Sequence, residues 1–117
     1  MISLELAKKL KDAGLVWEPK EGDWCYRRYN EQWKPRLITD GIENRYTSDI
    51  FAPSLSQLLA EIKGRGWRWG AGKNDGPYLV AVSKNSPLRE IPHMSKAKIE
   101  DAAAMALLWV LEREAVG

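Results

Sequence analysis

One pattern occurs twice in this chain at a single offset: a helix that ends in glycine, then a tryptophan, a turn and a tyrosine. Gly14 and Gly66 are 66 − 14 = 52 positions apart. The same offset relates Leu6 to Leu58, Leu10 to Ile62, Lys11 to Lys63, Trp17 to Trp69, Asp23 to Asp75 and Tyr26 to Tyr78. Because glycine adopts the left-handed conformation that closes a helix and aspartate favours turns, the pattern predicts a helix followed by a hairpin, twice. We place the two units at about residues 2–29 and 54–82.

The composition is that of one ordinary globular domain. A chain of 117 residues is long enough for one core, so we expect residues 1–117 to form a single domain. Hydrophobic residues make up 44% and charged residues 29%, which argues against extended disorder and fibrous structure. Six Trp and four Tyr accompany one Phe. Such rings suit cores and half-exposed sheet faces as well as partner surfaces.

Charge and cysteine content exclude few function classes. The net charge of +2 is too small to require a polyanionic partner. The single cysteine, Cys25, cannot form an internal disulfide. The sequence shows no signal region and no apolar run of membrane length, so we expect a cytoplasmic protein with no membrane partner.

Three helices are predicted from apolar spacing and capping residues. The first has a stripe of Ile2, Leu6, Leu10 and Ala13, with Ser3 as its cap and Gly14 at its end. The second begins where Ser54 and Gln57 have capping-box spacing. The closing helix is predicted over about 95–114, capped by Ser95.

The strands are predicted around these helices. Leu15 to Trp17 should form a strand, with a turn over 19–23 and the returning strand at Trp24 to Tyr29, which we expect at a sheet edge. Arg36 to Thr39 is a further candidate, and Ile42 to Tyr46 should pair back across Asp40-Gly41.

The second hairpin should begin at Trp67 to Trp69, with a loop over Gly70 to Pro77. Its returning strand, Tyr78 to Val82, is apolar on both faces, which predicts a central strand covered from both sides. The order of elements predicts the α+β class, with three helices and a mainly antiparallel sheet of four to six strands.

The closing helix carries no polar residue from Ala102 to Leu111. Such a helix is either buried between layers or covered by a partner. The residues that can face the sheet are Ile99, Ala103, Ala106 and Val110, which leaves Met105, Leu108 and Trp109 to be covered. The cover comes either from the rest of the chain or from a second copy.

Part of the chain resembles a known family. The stretch from Ala52 to Leu111 reads APSLSQLLAEIKGRGWRWG, then YLVAV, then IEDAAAMALLWVLE. It resembles the phage ABA sandwich domain, a group of small phage- and prophage-associated proteins. The resemblance implies an α-β-α sandwich and a phage-derived origin in a bacterial cell. It implies no activity and no catalytic residues.

The candidate chemical motifs are incomplete. Gly70 to Lys73 resembles part of a phosphate-binding loop, but Trp67 stands where the first glycine belongs and Asn74 where Ser or Thr belongs. His93 lies in a predicted Pro-flanked loop without a Cys or carboxylate at metal-ligand spacing. We therefore expect no metal, no cofactor and no enzymatic activity. A small hydrolase or nuclease with an unrecognised site stays an alternative.

Aromatic and basic residues are frequent around the predicted first hairpin. Bases stack on aromatic rings while cations follow the phosphates, so such a surface suits single-stranded nucleic acid. The residues are Arg27, Arg28, Tyr29, Trp33, Lys34, Arg36, Arg45 and Tyr46. Alternatively, the charges protect a sheet edge and the rings cover the core. The favoured hypothesis is a non-enzymatic protein-interaction or self-association module; the alternative is weak nucleic-acid binding through this surface.

Overall fold

The described part of the protein consists of three helices and two antiparallel sheets. The computed structural model describes residues 1–18, 20–39, 49–73, 77–83, 91–95 and 98–116, with the backbone alone for 91–95 and 116. The elements are α1 (Leu4–Asp12), β1 (Trp24–Tyr29), β2 (Gln32–Leu37), β3 (Ile50–Ala52), α2 (Leu55–Gly64), β4 (Arg68–Lys73), β5 (Tyr78–Ser83), β6 (Ile91–Ser95) and α3 (Ile99–Val116). The strand orders are β2-β1-β3 and β4-β5-β6. The predicted α+β class is confirmed, although the described strands form two sheets where one was expected.

The first two helices end in the same backbone motif, at the positions related by the offset of the repeat. After α1, the amide of Gly14 donates to Lys11 O at 3.1 Å and that of Leu15 to Leu10 O at 3.0 Å. After α2, Gly66 donates to Lys63 O at 3.0 Å and Trp67 to Ile62 O at 3.2 Å. Both glycines have positive φ, 98° and 85°. This is the Schellman arrangement, which satisfies carbonyls that a helix end leaves without partners.

The predicted starts of the first two helices are confirmed. Ser3 Oγ accepts a hydrogen bond from the amide of Leu6 at 3.2 Å. At α2, Ser54 Oγ accepts from the amide of Gln57, and the Gln57 side chain accepts from the amide of Ser54 at 2.8 Å. The reciprocal bonds fix the first turn of α2.

The first hairpin differs from the prediction. Residues 15–18 form no strand, and β1 pairs instead with β2, from Trp24 opposite Leu37 to Tyr29 opposite Gln32. The turn consists of Asn30 and Glu31, whose φ values of 45° and 67° give the two-residue turn that matches strand twist. Since β1 also pairs with β3, it is central and not at an edge.

Two predictions for the middle of the chain have different outcomes. The strand expected at Arg36 to Thr39 lies earlier, as β2. The Asp40-Gly41 turn and the strand expected at Ile42 to Tyr46 lie outside the described residues.

In the second sheet, β5 is central, as predicted for Tyr78 to Val82. The predicted loop at Gly70 begins too early, since β4 continues to Lys73. His93 lies in β6 and not in a loop, opposite Val80. Ser95 is the last residue of β6 and does not cap α3, which begins at Ile99.

The core lies around α3, which contacts α1, α2, β5 and β6. Seven α3 residues are buried: Ala102, Ala103, Ala104, Ala106, Leu107, Val110 and Leu111. Leu10, Ile62, Val80 and Val82 join them from the surrounding elements. The small alanine side chains allow the backbones of neighbouring elements to approach α3 closely. The stretch of α3 without polar residues, 102–111, is therefore covered mainly from within the chain.

Candidate interaction surface

Arg27, which the sequence assigned to a nucleic-acid surface, is buried. Its exposed fraction is 2%. Arg27 Nε donates to Asp49 Oδ1 at 2.9 Å and Nη2 donates to Asp49 Oδ2 at 2.7 Å. The two parallel bonds make a bidentate ion pair in the interior. The prediction that Arg27 lies on the surface is therefore wrong.

The other residues of the predicted nucleic-acid surface do not converge on one face. Residues directly opposite in an antiparallel pair share a face, and neighbours along a strand alternate. Arg28 is opposite Trp33, whereas Arg27 is opposite Lys34. The register therefore puts Arg28 and Trp33 on one face and Arg27, Tyr29, Lys34 and Arg36 on the other. Arg45 and Tyr46 lie outside the described residues.

Trp33 also has an intramolecular role. Its half-buried ring packs against the core, and the ammonium of Lys8 lies 5.2 Å from the ring centroid. An indole held in this way by α1 stabilises the contact between helix and sheet. The described residues of the set are thus divided between the two faces of the sheet, with Tyr29, Lys34 and Arg36 together on one of them.

Cys25 is a packing residue of the interior. The side chain is fully buried on β1. The pKa of its thiol is raised from 9.0 to about 11, mainly by burial and also by the negative charge of Asp49, an effect that the guanidinium of Arg27 opposes. At neutral pH the group is a protonated thiol, which is a poor nucleophile.

A cleft of about 500 Å³ lies between the segment after α1 and helix α2. Its aromatic wall is Trp17 stacked on Phe51, with ring centroids 5.1 Å apart. Its buried carboxylate, Asp23, accepts from Trp17 Nε1 at 3.1 Å, from the Lys20 amide at 3.0 Å and from Gln57 Nε2 at 2.8 Å. The carboxylate thus accepts three hydrogen bonds, which join the segment after α1 to α2.

A second depression, of about 420 Å³, lies between α1 and α3. We call it the α1–α3 groove. Its lining residues are Ser3, Glu5, Leu6 and Lys9 from the α1 side and Met105, Leu108, Trp109 and Glu112 from α3. The three residues for which the sequence predicted a need for cover thus lie together on one surface, where they are partly exposed.

The three α3 residues are not equally available to a partner. Trp109 meets Trp67 edge to face, with centroids 5.3 Å apart, and the guanidinium of Arg113 lies 4.7 Å from the Trp109 ring. Leu108 and Trp109 also pack against the core. Met105 is partly exposed on the same wall, so it is the side chain whose change tests the groove with least damage to the fold.

Charges of both signs border the groove. On α1, Lys9 Nζ lies 3.8 Å from Glu5 Oε1, and both side chains are mostly exposed, at 57% and 82%. On α3, Glu112 is exposed. Exposed ion pairs of this kind contribute little to stability and can exchange partners at small cost.

Sequence reasoning identified the α3 wall of the groove but missed the α1 wall. Leu6 was assigned to the apolar stripe of the first helix; it is partly buried and lines the groove. The spacing of Leu6 and Leu10 predicts a shared face. How much of that face α3 covers depends on the angle between the two helices, and residue spacing does not give that angle.

Neither a metal site nor a membrane-spanning helix is found among the residues that the structure describes. No group of three or more His, Cys, Asp or Glu side chains there could hold a metal ion. No helix in that part of the chain is long and apolar enough to cross a membrane. Comparisons with protein-family models, with curated proteins and with solved structures find no match to this chain.

Proposed function

We propose that this protein is a non-enzymatic self-association module, and that two copies meet through the α1–α3 groove. The supporting observation is that Leu6, Met105, Leu108 and Trp109 lie together in one partly exposed apolar depression. Apolar surface gathered in this way is typical of protein-interaction sites. We also propose a phage-derived origin, which rests on the sequence resemblance alone.

The charges favour a second copy as the occupant. In a twofold dimer the same patch serves both partners, so each contact occurs twice. The patch carries Lys9 paired with Glu5 on its α1 side and Glu112 on its α3 side. Lys9 can therefore exchange Glu5 for Glu112 of the second copy, in both halves of the interface. A patch of a single sign would repel its own copy and select a foreign partner instead.

The proposal is tested with Met105→Glu in sedimentation equilibrium. Burying a methionine contributes about 2 kcal/mol. Two copies of the change therefore remove about 4 kcal/mol, which raises the dimer dissociation constant roughly a thousandfold. We expect a dimeric wild type and a monomeric variant with an unchanged circular dichroism spectrum.

Val16→Glu is the matched control, because Val16 is also apolar and exposed, at 75%, but lies outside the groove. It should stay dimeric. A wild type that is monomeric up to millimolar concentration would overturn self-association. If the wild type is monomeric but captures a partner that Met105→Glu loses, the groove serves a foreign protein.

A further inference from the structure

The outer strand of the second sheet, β4, has one side without a neighbour among the described strands. β4 pairs with β5 along its whole length, from Arg68 opposite Ser83 to Lys73 opposite Tyr78, and no other described strand pairs with it. All six of its residues are exposed. Such a strand directs a row of backbone N–H and C=O groups outward, to which an extended chain can bind.

The middle of β4 leaves room for another backbone. Gly70 and Gly72 have no side chains, and a Cβ built on either would meet no atom within 4 Å. Trp69 and Ala71 lie on the other face, opposite Val82 and Val80, which belong to the core. The apolar face of the sheet therefore continues to its edge, where the Trp69 ring is 43% exposed.

Charge at the two ends of β4 selects the occupant. Six-residue antiparallel pairing with a second copy would place Arg68 opposite Lys73 twice, and like charges directly opposite one another destabilise a strand pair. We propose that β4 adds an extended segment of another protein, with an acidic residue opposite each end and apolar residues opposite Trp69 and Ala71. Backbone hydrogen bonds give such strand addition its affinity, and alternate side chains give its specificity.

The probe is the capped peptide Glu-Thr-Val-Thr-Val-Glu, titrated into 15N-labelled protein, with Lys-Thr-Val-Thr-Val-Lys as the matched control. We expect amide shifts at Gly70, Ala71 and Gly72 with the acidic peptide and at least fourfold weaker binding of the basic one. Each cross-strand charge pair should change affinity about twofold to fivefold. Equal binding of both peptides, shifts elsewhere, or no shift at millimolar peptide would overturn the proposal.

Variants of β4 test the charge preference and the role of Trp69 separately. Arg68→Glu combined with Lys73→Glu should reverse the preference, so that the basic peptide binds more tightly. Trp69→Ala should weaken binding of the acidic peptide, whereas Trp24→Ala, at an equally exposed tryptophan of the first sheet, should not. A double variant that still prefers the acidic peptide contradicts the proposal. Because β4 shares no residue with the α1–α3 groove, either proposal can fail alone.

Discussion

The ion pair of Arg27 and Asp49 allows a quantitative test of the interior. Its side chains are 3% and 0% exposed, and two hydrogen bonds of 2.9 and 2.7 Å join them. Asp49→Asn keeps the shape but leaves the guanidinium charge buried without its carboxylate. Removing one partner of a buried pair costs about 3–5 kcal/mol, a large share of the roughly 5–15 kcal/mol that stabilises a domain.

The assay is urea unfolding at pH 7, followed by tryptophan fluorescence. With a slope of about 1.5 kcal/mol per molar urea, the midpoint of Asp49→Asn should fall by about 2–3 M. The double variant Arg27→Met with Asp49→Leu should lie within about 2 kcal/mol of the wild type, because replacing both charges removes their desolvation cost.

The exposed pair of Lys9 and Glu5 is the control. Changing Glu5→Gln should cost only about 0.5 kcal/mol, measured at a protein concentration where the oligomeric state is unchanged. A loss below about 1 kcal/mol in Asp49→Asn would refute the reasoning, since a loss that small is typical of a pair still open to water.

Two further predictions concern single positions. Gly66→Ala should lower the free energy of unfolding in urea by about 1–2 kcal/mol, because Gly66 has a φ of 85°. Gly64→Ala, inside α2, should raise it by about 0.5–1 kcal/mol. Equal effects of the two changes would contradict the assigned helix end. Cys25 should react with Ellman's reagent only on unfolding. Because its pKa is raised from 9.0 to about 11, the folded state retains the proton longer than the unfolded state. The stability that this thiol contributes should therefore decline from pH 9 to about pH 11, and Cys25→Ala should lack that decline; rapid labelling of the folded protein would contradict its burial.

Features that depend on neighbouring residues were predictable from the sequence. Ser3 and Ser54 cap their helices because the partners lie three residues away, and the glycine after each helix closes it through local backbone geometry. The central position of β5 followed from its apolar character on both faces, which is also a local property.

The errors occurred where the usual local signal is missing or where the structure depends on residues distant in sequence. The turn at Asn30 and Glu31 lacks the glycine that normally signals it, so the strand that pairs with β1 was sought on the wrong side. Arg27 looked like a surface cation because its partner, Asp49, is 22 positions away. For the groove, helix spacing identified Met105, Leu108 and Trp109, but only the packing of α1 on α3 shows which α1 residues accompany them.

Charge exchange across the α1–α3 groove tests most directly whether two copies pair through it. Lys9→Glu and Glu112→Lys should each weaken the dimer, because each variant brings like charges together in both halves of the interface. An equimolar mixture should form a heterodimer in native mass spectrometry, with opposite charges facing at both places. Homodimers that persist in both variants, or a mixture that shows no preference for the heterodimer, would contradict the account.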